Sequence, residues 1–143
     1  MKKTILAAVL VSLFALAAQA QEHYTPGPVW RVTLIHVKGA GMDAYLTSLR
    51  QGTKPIFDEE KKQGIIMDYK VFLKSTKTNP NDWDIAVAVE YKDWAALDGE
   101  TAKAEAVRDK ILGGKQQAQS LADKRLDIRE IVTTDLMQEV FLK

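Results

Sequence analysis

The sequence predicts an α+β domain: one four-stranded antiparallel sheet with its helices on a single face. Three observations predict it. Four stretches are rich in β-branched and aromatic residues with period-two alternation. Stretches of helical period separate the first strand from the second and the third from the fourth. The resulting order, β-α-β-β-α-β, is the split β-α-β arrangement, whose helices both pack on one side of the sheet.

The elements follow in chain order. Met1-Lys2-Lys3-Thr4 is a basic start, Ile5 to about Ala17 is apolar, and Ala18-Gln19-Ala20 is a small-x-small end. These are the three parts of a cleavable secretory signal. The apolar run is too short for the roughly 20 residues that a membrane-spanning helix needs. Residues 1–20 are therefore read as a signal peptide, 21–28 as a flexible lead-in with Pro26-Gly27-Pro28 as a stiff turn, and 29–143 as the folded domain. Val29 to Lys38 is the first strand. Val29, Ile35 and Val37 point one way, and Trp30, Val32, Leu34 and His36 the other, so both faces are apolar. Met42, Tyr45, Leu46, Leu49, Ile56 and Phe57 recur at helical spacing; Pro55 should kink or divide that helix. Gly64 suits its C-terminal cap.

Ile65 to Leu73 is the second strand and Trp83 to Tyr91 the third, with a turn-rich loop at Lys77–Asp82. On the third strand, Ala86 and Ala88 share a face, which suggests close packing of a helix there. Thr101 to Leu112 is a helix stopped by Gly113-Gly114, and Lys115 to Arg125 is a second, extra helical piece. Ile128 to Leu142 is a long last strand.

Charge and composition exclude several functions. The formal net charge is +1 over 143 residues, and removing the signal with Lys2 and Lys3 makes it −1. No basic excess is present to attract nucleic acid or an anionic membrane. There are no cysteines, so thiol catalysis, cysteine zinc sites, iron–sulfur clusters and disulfides are ruled out. Two histidines make a multi-histidine metal site unsupported. Asn79, Asn81, Asp82 and Asp84 are a faint version of a calcium loop without its glycine and terminal Glu, and read as an ordinary turn. Gly39-Ala40-Gly41 lacks phosphate-loop spacing. No metal and no cofactor is expected.

With apolar residues on both faces of its strands, such a sheet needs a cover on the side without helices, and a second copy supplies one. The element order, the two-sided strands and the size resemble the dimeric α+β-barrel superfamily of ferredoxin-like protomers. The resemblance runs from about Val29 to Leu142. It is carried by Trp30–Lys38 leading into the helix from Met42 to Gly64, and by Asp82-Trp83-Asp84-Ile85 running into Glu90-Tyr91-Lys92. That group includes cofactor-independent monooxygenases of the antibiotic-biosynthesis type, haem-degrading enzymes and uncharacterised exported members, and the chain looks most like the last. No position matches a catalytic residue of the enzymatic members. The resemblance implies a homodimer.

Candidate ligand contacts are His36, Tyr69, Trp83, Tyr91 and Asp68. A histidine near a strand end can act as base or ligand contact. The three aromatic residues suit the wall of a cavity for a small apolar ligand, and Asp68 is an acid/base candidate if its face is inward. The function expected is an exported, periplasmic or secreted homodimer that binds a small ligand between its elements. The alternatives are a cofactor-free monooxygenase-like enzyme and a structural or protein-interaction module.

Overall fold

The computed structural model describes residues 23–143; the expected signal peptide lies outside the described residues. The order is β1 (Tyr24–Val37), α1 (Met42–Ser48), a π-helical turn (Leu49–Thr53), α2 (Lys54–Lys62), β2 (Asp68–Leu73), β3 (Ile85–Tyr91), a 3₁₀ turn (Trp94–Leu97), α3 (Glu100–Leu112), α4 (Lys115–Ile128) and β4 (Arg129–Leu142). The sheet is open, with strand order β2-β3-β1-β4 and every neighbour antiparallel. The expected α+β class, four strands and helices on one face are all present.

Val29, Ile35 and Val37 of β1 and Ile85, Val87, Val89 and Tyr91 of β3 are buried on the helix side. Tyr45 and Leu49 close one half of the core over Ile35 and Val87. Ile66 closes the other half over Val29 and Val89, and Phe57 packs on both. Burial of this kind stabilises at roughly 25 cal/mol per Å² of apolar surface.

Four features differ from the sequence reading. First, β1 begins at Tyr24, inside the expected lead-in, with Tyr24, Thr25 and Pro26 opposite Leu142, Phe141 and Val140. The prolines are tolerated because the β3 pairing starts only at Val29 opposite Tyr91, so this part of β1 is bonded on one side. Second, the helix is divided as Pro55 implies, but through a π-helical turn. Pro55 then occupies the first turn of α2, where its missing N–H costs nothing. Third, Ala86 and Ala88 face away from the helices. They lie opposite Leu34 and Val32 of β1 and Phe72 and Lys70 of β2 on the open face. Alternation had shown that the two alanines share a face, but not which layer that face meets. Fourth, β2 and β3 start later than expected, and α4 runs on to Ile128. The Gly113-Gly114 stop is present: φ values of +86° and +120° let α3 turn directly into α4.

Candidate functional site

A cavity of about 450 Å³ lies between the sheet and the helices. Ile35, Val87 and Ile131 line it from the sheet, and Leu49, Ile56 and Phe57 from α1–α2. Into this apolar frame project four arginines, Arg31, Arg108, Arg125 and Arg129, and three acids, Glu60, Glu100 and Glu105.

The charged groups fall into two sets. In the first, Arg31 of β1 donates from Nη1 and Nη2 to Oε1 and Oε2 of Glu100, both at 3.1 Å. Tyr91 Oη donates to the same Oε1 at 3.1 Å, and the Arg31 guanidinium lies 5.0 Å from the centre of the Tyr91 ring. Burial is the largest single influence on Arg31 and opposes its charge, but the two-pronged bond to Glu100 together with the nearby Tyr91, Glu100 and Glu60 raises its pKa on balance. Burial also raises the Tyr91 phenol, and the Glu100 charge adds to this. Glu60 of α2 stands beside this set, buried at 4 % exposure. It has no ion pair or side-chain hydrogen bond among the described residues. Burial first, and the Glu100 charge second, push its carboxyl up to about 7, with Arg31 pulling the other way.

In the second set, Arg125 lies in the last turn of α4 and Arg129 opens β4. Arg125 Nη2 donates to the Ser48 carbonyl at 3.0 Å. Arg129 Nη1 donates to Tyr45 Oη at 2.9 Å. The Nε of Arg129 is buried without an acceptor among the described residues.

The sequence candidates lie mostly elsewhere. His36 is on the opposite face of β1, with Nδ1 3.0 Å from the Asp82 carbonyl and 3.1 Å from Asp84 Oδ2. Asp84 also accepts from the Val37 amide at 2.8 Å and pairs with Lys77. Trp83 stacks under Lys74, whose ammonium is 4.6 Å from the ring centre. Asp68 pairs with Lys61 at 2.8 Å on the surface. Tyr69 donates to Asp58 at 2.7 Å and lines a separate apolar groove with Leu46, Phe57 and Val71. Tyr91 alone touches the cavity's charged groups, through Glu100. The structure thus brings His36 to Asp84, and Tyr91 to Glu100, and leaves Tyr69, Trp83 and Asp68 apart. The acids that line the cavity are Glu60, Glu100 and Glu105, none of them a sequence candidate.

The residues that line the cavity left a signal. Arg31 and Thr33 interrupt the apolar face of β1 between Val29 and Ile35. Glu60 falls three and four positions after Phe57 and Ile56 on an apolar helix face. Arg125 continues the stripe Ala118, Leu121, Ala122. Polar residues set in an inward-facing stripe are what a buried site requires.

This architecture has solved counterparts. HapK from Hahella chejuensis is similar with a TM-score of 0.52 at 12 % identity, covering 78 % of this chain and 91 % of its own. The chain has a ferredoxin-like α+β fold. A NIPSNAP-family protein of unknown function from Agrobacterium tumefaciens has a TM-score of 0.51 at 14 % identity, covering 86 % and 93 %. A dimeric ferredoxin-like protein from an uncultured marine organism has a TM-score of 0.50 at 10 % identity, covering 82 % and 90 %. No protein-family model matches the chain, and no curated protein matches it in sequence. In this fold, the helix-side cavity and the open sheet face are the two surfaces on which function has to be argued.

Proposed function

We propose that the chain is an exported protein that works as a homodimer and holds a small ligand in the cavity between its sheet and its helices. The cavity carries this reading. Its volume of about 450 Å³ falls in the range of small-molecule sites, and it combines an apolar frame with a few converging polar groups. Its charged lining departs from the purely apolar ligand that aromatic walls suggest. Pairing is supported by the open face, where Trp30, Val32, Leu34 and Phe72 form an apolar surface around the buried Ala86 and Ala88 that no helix among the described residues covers. Export is supported by the basic, apolar and small-residue segments of residues 1–20. Native mass spectrometry of protein purified from its host checks all three parts. The expected species is a dimer whose chains begin at Gln21 and carry a small-molecule adduct. A monomer, an uncleaved start or a clean apo dimer each removes the corresponding part.

A second reading, a cofactor-free monooxygenase-like enzyme, is favoured by Glu60. A buried carboxyl poised at about 7 inside a cavity has the pKa of a general base at neutral pH. It predicts oxygen uptake with small phenols that rises through pH 7 and is lost in Glu60→Gln. No uptake at any pH would leave the binding reading alone.

A further inference from the structure

We infer that the end of the cavity where α1, α4 and β4 meet is a receptor for the carboxylate of a small organic acid, formed by Arg125 and Arg129 with the Tyr45 hydroxyl. This rests on reading the cavity as a ligand site and specifies what enters it.

Four observations support the receptor. The other two cavity arginines have acidic partners: Arg31 pairs with Glu100 and Arg108 with Asp109. Among the described residues, the side chains of Arg125 and Arg129 hydrogen-bond only to neutral oxygens, the Ser48 carbonyl and the Tyr45 hydroxyl. Two guanidiniums therefore share one end of a cavity with no carboxylate among the described residues bonded to either. Burial lowers the Arg125 pKa, and the neighbouring Arg129 charge lowers it further. Such an arrangement awaits a negative charge.

The Arg129 Nε is a buried donor without an acceptor among the described residues, a state that folded proteins rarely leave uncorrected. A carboxylate drawn between the two guanidiniums accepts from both and brings an acceptor to that edge.

The position of Arg125 is built, not incidental. A Cβ at Gly52 would stand 2.6 Å from its Nη2, so the absence of a side chain in the π-helical turn makes room for the guanidinium against the Ser48 carbonyl. π-Helical turns inside helices recur at functional sites.

The wall beside the pair is apolar, with Ile35, Leu49 and Ile131 lining the same cavity. That surface suits a carbon skeleton behind the carboxylate rather than an inorganic anion.

The test is calorimetric titration of the protein at neutral pH with benzoate, 1-naphthoate and octanoate, each against its own amide, and with inorganic phosphate. The expected result is that at least one acid binds about tenfold or more tighter than its amide. Amide shifts in the nitrogen–proton spectrum should centre on Tyr45, Gly52, Arg125 and Arg129. In Arg129→Gln the preference should fall to about twofold or less, with part of it kept in Arg129→Lys. Acid and amide binding equally in the cavity leaves the ligand reading standing and overturns the carboxylate receptor. Phosphate binding as tightly as the best acid overturns the organic-acid assignment. Shifts confined to the open sheet face overturn the location. No probe binding, together with no native adduct, overturns both the receptor and the cavity reading. The acid–amide comparison and the shift map use the unmutated protein, so they decide the matter even if a variant fails to fold.

Discussion

Glu60 makes its environment measurable. Its carboxyl faces Arg31, Glu100 and Tyr91, and is pushed up to about 7 from an ordinary 4.5. Between those values the folded chain holds a proton that the unfolded chain has released. Its contribution is therefore fully present at low pH and is lost as pH rises through 7. Glu60→Gln, neutral at every pH, should gain stability over the parent by roughly 1–3 kcal/mol between pH 4.5 and pH 7.5, with a plateau above. Urea unfolding across that range checks it, and a gap that does not change with pH would mean that Glu60 ionises normally. This residue also shows why the sequence reading turned to His36. A histidine titrates near neutrality by its own chemistry, so it stands out in a string of letters. A carboxylate or a guanidinium becomes unusual only through burial and neighbours. The neighbours of Glu60 come from β1 and α3, which the linear order does not bring together.

At the scale of elements, the divided helix was half legible. Pro55 announces a break because its ring cannot sit in a helix interior. The π-helical turn is met by a side chain 77 residues from Ser48, the Arg125 guanidinium lodged against its carbonyl. Local pattern cannot report that contact. Gly52→Ala separates the two contributions. Alanine favours helix over glycine by about 1 kcal/mol, and the displaced Arg125–Ser48 bond contributes about as much, so stability should change by no more than about 1 kcal/mol. The displaced guanidinium should nevertheless weaken the acid-over-amide preference several-fold. Thermal melts and the same titrations check both halves, and an unchanged preference would show that Gly52 does not position Arg125. The strands were legible for a simpler reason: alternation is a property of neighbours in sequence. Which way the Ala86–Ala88 face points, and whether Tyr24–Pro28 is bonded, are decided by partner strands.

For the whole molecule, element order and strand patterning were enough to reach the fold, because a split β-α-β pattern leaves few arrangements of four strands. The cavity was not legible, because it is a property of the space between layers. The open face is where the proposed dimer would form. Phe72 of β2 and Met137 of β4 lie on it and are 50 % and 46 % exposed. Between them Ala86 and Ala88 present short side chains over which a second sheet can approach closely. The proposed dimer predicts that Phe72→Glu with Met137→Glu shifts residues 21–143 from dimer to monomer in light scattering, since four charges would face one another across the two-fold axis. The same pair of changes should leave the unfolding midpoint of the isolated protomer within about 1 kcal/mol of parent stability, because both side chains are half-exposed. A mass that stays dimeric would place the interface elsewhere.

The pairing of the first strand with the last has a kinetic meaning. Tyr24 lies opposite Leu142, and the Gln138 side chain reaches back to the carbonyl of Gly27, 111 residues earlier. The central strand β1 therefore cannot complete its ladder until nearly the whole chain is available. Loops of that length must close before their contacts compensate, which makes assembly slow. A chain that emerges N-terminus first can pair β1 with β3 once Tyr91 is made, but the other edge of β1 stays unpaired until the last residues are added.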